Sequence, residues 1–411
     1  MVGSTTTTTT RARRTLAVVI GCVGLLATAC GGGGPDIEVD ASRLSTAGAT
    51  APAVEPPSSA TTGSSSDPAP ATPVTAAPTT APSEEPESPP TDGGWVNATA
   101  NLANMESDCG NLTTLASEPG SDTVIAGVAL RGLWALDEPG GMWRPLGTAP
   151  DSDVLTNRVA AIRFDPDREG AFWASGTYSG NGVFRTSDGG QTLEALGDLL
   201  HVDVVSIDMT DPERQTLLAS VHEQRDLRLS LDGGATWRSL ARNLPDELGR
   251  SNSPHVLDSS TFLVGTWLTE NPGIYRSVDQ GETWTQVFDG YVLELGVPYT
   301  LDDGSILWVL HRGGGVIRST DGGQTWEPWS FTPLVVGIED MGDGRLASAT
   351  ADQVMISEDD GQTWTWVGPA IPFAPASFAY VAGQRTFYVS QWDCELRVRP
   401  DAVAALSLLP D

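Results

Sequence analysis

From about residue 95 onward, short runs of residues alternate between apolar and polar side chains and end at small residues. Runs such as AFWASGT, TLLASVH and TFYVSQW have the period and composition of β-strands. A second short run precedes each of them, as in residues 159–166 and 204–212. The pattern therefore predicts an all-β domain in which about 40 residues, holding four strands, form one repeated unit.

One phrase recurs between the predicted third and fourth strands of these units. Its core is Ser/Thr-x-Asp-x-Gly-x-Thr-Trp, in which glycine allows a positive φ and the Asp and Ser/Thr side chains bond to the turn backbone. The phrase predicts a tight hairpin whose Trp packs against the neighbouring unit. The good copies occupy residues 182–196, 227–240, 273–287, 315–329 and 354–367, and a degenerate copy occupies residues 132–146.

This phrase resembles the Asp-box, also called the bacterial neuraminidase repeat. The resemblance implies a single β-propeller of about seven blades between residues 111 and 409, whose last blade, without a box, takes all four of its strands from residues 374 onward. It also implies that the box aspartates are structural residues at the blade periphery. Catalytic acids, or a calcium site at Asp359 and Asp360, are the alternatives. The box aspartates are Asp188, Asp232, Asp279, Asp321 and Asp359.

In such a propeller the first and last blades are neighbours, and two cysteines are predicted at their junction. Cys109 precedes the inner strand of blade 1, and Cys394 follows the second strand of blade 7. Both positions lie on the face that carries the blade-to-blade connections, so a disulfide is expected, favoured by an exported location. The alternative is two free buried thiols.

The first 94 residues do not have the pattern of a folded domain. Arginines precede an apolar stretch at residues 15–29, which is short for a bilayer span and typical of a signal peptide. Small residues before Cys30 resemble the bacterial lipobox, in which the cysteine is lipidated. We therefore expect a lipoprotein signal peptide at 1–29, a disordered Pro/Thr/Ser/Ala-rich linker at 30–94 and the propeller at 95–411. Without lipidation of Cys30, the protein would be secreted.

Charge narrows the range of partners. The chain carries 23 basic residues, all arginine, against 53 acidic residues, for a net charge of −30. Nucleic acid would be repelled. The four histidines lack metal-ligand spacing, and we expect neither a metal nor a cofactor. The expected partners are a membrane, through a lipid anchor at Cys30, and an unidentified protein or glycan.

Equivalent positions in the repeats indicate a binding surface on the face with the blade-to-blade connections. The residue three places after the Ala or Val of each second strand should stand at a similar height there, and neighbouring blade-to-blade connections add Arg158, His201, Asp203 and His255. Tryptophans would act as flat platforms and arginines would hold anionic or hydroxylated groups. Ordinary loop variation is the alternative. The candidate binding residues are Arg158, His222, His255, Trp267, Arg312 and Trp392.

Asp-box propellers include sialidases, xyloglucanases, the sortilin lumenal domain and photosystem II assembly factors. The Arg-Ile-Pro motif of sialidases is absent, and the chain has room for one propeller, whereas xyloglucanases use two. The expected function is a non-catalytic recognition or assembly module at the cell surface, with no catalytic residue assigned. A glycoside hydrolase using Asp203 or Asp258 is the alternative, and a scaffold without a small ligand is a third.

Lipidation of Cys30 is directly testable. Replacing Cys30 with serine should abolish incorporation of labelled fatty acid and release the protein from the membrane fraction, because the thioether that carries the acyl chains cannot form. Metabolic labelling and fractionation measure both. A labelled, membrane-bound Cys30→Ser protein would exclude this site.

Overall fold

A computed structural model describes residues 93–250, 252–267, 269 and 272–409. The predicted signal peptide, Cys30 and all but the last residues of the predicted linker lie outside the described residues. Strands in the described part form seven four-stranded antiparallel sheets. The predicted all-β, seven-bladed propeller is thereby confirmed. No helix in the described part of the chain is long and apolar enough to cross a membrane.

The first three blades each use four consecutive strands, paired in chain order from inside to outside. Blade 1 contains β2 (Thr114–Ser117), β3 (Val124–Val128), β4 (Gly132–Leu136) and β5 (Arg144–Pro145). Blade 2 contains β6 (Arg158–Phe164), β7 (Phe172–Thr177), β8 (Val183–Thr186) and β9 (Glu194–Ala195). Blade 3 contains β10 (Val202–Ile207), β11 (Leu217–Val221), β12 (Leu227–Ser230) and β13 (Arg238–Ser239).

The next three blades follow the same rule. Blade 4 contains β14 (Asn252–Val256), β15 (Phe262–Thr266), β16 (Ile274–Ser277) and β17 (Thr285–Phe288). Blade 5 contains β18 (Tyr299–Thr300), β19 (Ile306–Val309), β20 (Val316–Ser319) and β21 (Glu327–Ser330). Blade 6 contains β22 (Glu339–Asp340), β23 (Leu346–Ala349), β24 (Val354–Ser357) and β25 (Thr365–Val367). Short 3-10 turns lie at Ala100–Leu102 and His311–Gly313.

The core lies between the blades. The second strand of blade 2 is buried along its whole length, because neighbouring blades cover both of its faces. Phe172 is 1 % exposed and packs with Ile125 and Leu133 of blade 1. The box tryptophans add to this contact: Trp237 of blade 3 donates its indole N–H to the Leu196 carbonyl of blade 2 at 3.1 Å. Each blade is therefore stabilised by its neighbours.

Blade 7 departs from the sequence prediction, which took all four of its strands from the residues after 374. It contains β26 (Ser377–Val381), β27 (Thr386–Ser390), β28 (Val403–Ser407) and, as its outermost strand, β1 (Val96–Asn97). Residues 394–400 form only an isolated bridge, from Arg397 to Glu106. The alternating pattern of residues 394–400 suggested a strand of this blade. The outer edge of β28 is instead paired with the N-terminal strand, where Val96 faces Ala405.

A second connection joins the same two blades. A disulfide links Cys109 to Cys394 across a sequence separation of 285 residues. Beside it, the Gly110 N–H donates to the Asp393 carbonyl at 2.7 Å. Trp143 of blade 1 also donates its indole N–H to the Ala98 carbonyl at 2.9 Å. The ring is thus closed by strand pairing, by a covalent bond and by side-chain contacts.

A buried ion cluster joins blades 2 and 3 on the face opposite the blade-to-blade connections. Arg214, 4 % exposed, donates Nε and Nη2 to the two carboxylate oxygens of Asp165 at 3.0 and 2.7 Å. Its Nη2 also donates to Asp167 at 2.6 Å. Burial alone would raise the pKa of Asp165, but the hydrogen bonds from Arg214 and from the Asp167 backbone hold it below its ordinary value. This two-pronged geometry is specific to arginine.

Replacing Arg214 with methionine should destabilise the propeller by about 3–5 kcal/mol at pH 7, because the buried Asp165 carboxylate loses its partner. Without that partner its folded pKa lies above the unfolded value, so the penalty is largest at neutral pH and shrinks as pH falls through that raised pKa. Urea denaturation at pH 7 and pH 4.5 measures both.

The matched control is Arg144→Met, which breaks an exposed ion pair with Asp137 and should cost less than about 1 kcal/mol. Equal losses in the two variants, or a loss in Arg214→Met that does not depend on pH, would contradict this assignment.

Candidate functional site

The blade order places the starts of first strands and the ends of second strands on one side of the ring, here called the connection face. Five polar residues come together there from blades 2, 3 and the connection into blade 5. Arg158 begins β6, Tyr178 follows β7, Asp203 lies in β10, His222 follows β11, and Glu294 precedes β18. We call these five residues the Tyr178 cluster.

A hydrogen-bonded chain runs through the cluster from the interior to the surface. Asp203 is 2 % exposed, and its Oδ1 lies 2.7 Å from His222 Nδ1. His222 Nε2 lies 3.0 Å from the hydroxyl of Tyr178. Tyr178 is 56 % exposed. Because a carboxylate can only accept, Nδ1 carries a proton, and in the neutral imidazole Nε2 accepts from the phenol. The buried carboxylate thereby fixes the orientation of an exposed phenol.

The backbone of Tyr178 explains why its ring reaches the face. Its φ is 72°, a left-handed value that is uncommon for a residue with a side chain. The Tyr178 N–H donates to His201 Nδ1 at 3.1 Å. The Tyr178 ring also packs edge-on against His201 and His222, with centroids 6.2 and 5.1 Å away. These contacts stabilise a conformation that would otherwise be strained, as at many functional sites.

Arg158 is held in place without an acidic partner. Its guanidinium lies over the Tyr178 ring, 4.5 Å from the centroid. On its other side, a Cβ at Gly110 would lie 2.7 Å from Arg158 Cδ, so only glycine leaves room for this side chain. No ion pair or side-chain hydrogen bond of Arg158 occurs within the residues that the structure covers. Its donors are oriented and open to a ligand.

Glu294 supplies an acid that interacts electrostatically with this cation. The side chain is exposed, but protein atoms crowd its carboxyl group. This partial desolvation raises the pKa of Glu294, and the negative charge of Asp203 acts in the same direction. The charge of Arg158, and that of His222 when its imidazole is protonated, lower the pKa of Glu294 but do not cancel the rise. The cluster thus offers a cation, a phenol and an acid whose pKa is raised.

Two of the predicted binding residues, Arg158 and His222, meet in this cluster together with Asp203, and His201 contacts Tyr178 at its edge. The placement of His255 was wrong. It lies inside β14 rather than in a connection, because that strand starts at Asn252. The imidazole is surrounded by protein atoms, which lowers the pKa of His255 to about 4, and the charge of Arg163 adds to this.

The other three candidates have different surroundings. Trp392 is 45 % exposed, as a platform would be. Trp267 is half-buried and its indole nitrogen is enclosed. Arg312 is exposed and donates Nε to His311 at 3.2 Å. No hydrogen bond or ring contact joins these three to the Tyr178 cluster in the described part of the chain, and their role in binding stays a prediction.

Asp258, offered for the enzymatic alternative, does not lie near the connection face. It sits in the turn between β14 and β15, at the opposite end of those strands. Its carboxylate accepts from the Ser260 N–H and hydroxyl and from the Thr261 N–H, each at 2.8 Å. The sequence interpretation placed it wrongly because an Asp-Ser-Ser turn has no marker for which end of a strand it follows.

The box aspartates bond within their own hairpins. Asp279 accepts from the Ser277 hydroxyl at 2.8 Å and from the Thr283 N–H and hydroxyl at 2.9 and 2.6 Å. The hydrogen bonds from Thr283 hold the pKa of Asp279 below its ordinary value. The corresponding aspartates with the same bonds and lowered pKa values are Asp188, Asp232, Asp321 and Asp359.

Sequence reasoning missed Tyr178 and Glu294. The comparison of repeats stopped at Thr177, the last residue of β7. The next residue, Tyr178, has a left-handed backbone conformation that turns its own side chain onto the connection face. A Tyr at the end of a strand, followed by Ser-Gly, was the available signal. Glu294 lies in a connection that matches no other blade, so the repeat could not indicate it.

No group of three or more His, Cys, Asp or Glu residues in the described ranges could hold a metal ion.

Seven sheets in a ring, with hydrogen-bonded boxes at their hairpins, define the fold as a seven-bladed β-propeller with Asp-box hairpins. A family model described as BNR/Asp-box repeat matches residues 317–328. A probable oligoxyloglucan-reducing end-specific xyloglucanase from Neosartorya fischeri is 29 % identical over 33 % of this chain and 18 % of its own length. The photosystem II assembly lipoprotein Ycf48 from Synechococcus sp. is 29 % identical over 33 % of this chain and 39 % of its own length.

These matches span well under half of either relative's own length. Among solved structures, U3-55K is 9 % identical, with a TM-score of 0.50, over 78 % of this chain and 100 % of that chain. At such low identity the likeness shows the fold alone.

The box aspartates should contribute to stability. Asp279→Ala removes three hydrogen bonds from a partly exposed hairpin and should lower the free energy of unfolding by about 1–2 kcal/mol at pH 7. Because the folded pKa of Asp279 is lowered, this difference is present above the unfolded value and should vanish as pH falls through the folded pKa. Urea titrations measure it, with the exposed Asp289→Ala as control. A variant as stable as the control would contradict a structural role.

Proposed function

We propose that this protein is an extracytoplasmic binding module whose ligand docks on the connection face over the Tyr178 cluster, without covalent chemistry. The observation that carries this is the chain from Asp203 through His222 to Tyr178, beside an unpaired Arg158. Groups already oriented before the ligand arrives lose little conformational freedom on binding. The cluster therefore has the preorganisation of a recognition site.

The carboxylates favour binding over hydrolysis. Glycosidases need two carboxyl groups that both face the scissile bond, about 5–10 Å apart. The Asp203 carboxylate is 3 % exposed and bonded to His222, so it supports the cluster from beneath. Asp258 lies at the other end of its strand, and the box aspartates are bonded within their hairpins. Of these groups, none is a free partner for Glu294.

An exported location is part of the proposal. The disulfide between Cys109 and Cys394 fits an oxidising compartment. One similar protein is named an assembly lipoprotein and another a xyloglucanase. We propose that this chain is likewise exported, and that a lipid on Cys30 holds it at the membrane while the connection face binds a protein or glycan.

A second candidate function is glycoside hydrolysis with Glu294 as general acid. Desolvation raises the pKa of Glu294 above its ordinary value, which is the direction that a proton donor to a leaving group requires. A partner carboxylate would then have to come from the ligand or from a change in conformation.

Ligand arrays and chromogenic glycosides separate the two functions. The full-length chain should capture ligands from glycan or peptide arrays and hydrolyse none of the glycosides. His222→Ala should weaken capture at least fivefold, because Tyr178 loses the bond that orients its phenol, while Asp289→Ala should bind like the parent. Turnover that Glu294→Gln abolishes would support the enzyme and overturn the binding module. Capture that His222→Ala leaves intact would place the ligand elsewhere.

A further inference from the structure

Building on the proposed function, we infer that the group recognised at the Tyr178 cluster is the carboxylate of an acidic sugar, a uronic acid, and that Arg158 binds it. The sugar's hydroxyl groups would meet the phenol, imidazole and carboxyl groups around Arg158.

The state of Arg158 points to an anionic group. The chain has 23 basic and 53 acidic residues, and other arginines such as Arg144, Arg185 and Arg214 each hold a carboxylate. The guanidinium carbon of Arg158 instead lies over the Tyr178 ring, 4.5 Å from its centroid, and its donors have no side-chain hydrogen bond or ion pair within the described residues. A planar guanidinium with a fixed orientation matches a carboxylate through two parallel hydrogen bonds.

The base of Arg158 is fixed by blade 1. The Thr114 hydroxyl donates to the carbonyl of the next residue, Val159, at 2.6 Å, and the Thr113 hydroxyl does so at 3.2 Å. Gly110, next to the disulfide, leaves the space that the arginine stem fills. The ring closure therefore also supports the cation, and little freedom remains to be lost when an anion binds.

The neighbours of Arg158 suit sugar hydroxyls. The Tyr178 hydroxyl can donate or accept, and the Glu294 carboxyl group accepts when ionised and donates when protonated. Such two-way groups match a ring that carries several hydroxyls beside its carboxylate. A peptide C-terminus would also use Arg158, but its backbone N–H groups only donate and its carbonyls only accept, so the surroundings favour the hydroxyls of a sugar.

The nearby acids do not prevent anion binding. The charge of Asp203 is compensated by its bond to Nδ1–H of His222. Desolvation and the charge of Asp203 raise the pKa of Glu294, and an approaching carboxylate would raise that pKa further. A protonated Glu294 then donates to the ligand instead of repelling it.

Isothermal titration of the full-length chain tests this with digalacturonic acid as the probe. Its neutral dimethyl ester, with the same ring hydroxyls, should bind at least tenfold more weakly. Arg158→Met should weaken binding of the acid at least tenfold and abolish the preference over the ester. Arg158→Lys keeps the charge but loses the paired geometry, and should bind between the two. Arg144→Met, an equal change of charge on β5, should bind like the parent.

Each contrary outcome is distinct. Equal binding of acid and ester, or full binding by folded Arg158→Met, overturns carboxylate recognition. Binding of a free-carboxylate dipeptide but not of digalacturonic acid overturns the sugar and leaves the binding module standing. So does an array ligand that depends on His222 but carries no carboxylate. Capture unaffected by His222→Ala instead removes the proposed function itself.

Discussion

Burial between blades is the constraint on which this structure depends. Each sheet has two apolar faces and can hide them only against its neighbours, as Phe172 does against Ile125 and Leu133. A row of such sheets would leave two faces in water, so the row has to close. Pairing of Val96 with Ala405 and the Cys109–Cys394 disulfide complete that closure. The regular hairpins and the similar boxes recur because each of the seven sheets must meet the same packing requirement.

The closed ring gives the connection face its precision. Groups from blades 2 and 3 and from the connection into blade 5 are brought together although 136 positions separate Arg158 from Glu294 (294 − 158). The strands beneath them are buried and tightly packed, so the side chains above have little room to move. A buried Asp203, an intermediate His222 and an exposed Tyr178 form a gradient from rigid support to accessible surface.

The sequence was most informative where a pattern repeats. The spacing of the boxes and the alternating runs predict seven blades, and the box aspartates have the bonding that their turn chemistry implies. It was least informative where a position occurs once. The strand Val96–Asn97 has two residues, which are too few to show strand periodicity. The left-handed φ of Tyr178 and the early start of the strand that holds His255 depend on contacts with distant residues.

The pairing of the first strand with the last blade also constrains when the ring can close during synthesis. Cys394 follows Cys109 by 285 residues, so the disulfide can form only once synthesis has reached the seventh blade. Its formation therefore reports that the two ends of the ring have met. A chain truncated before residue 394 would leave Cys109 without this partner.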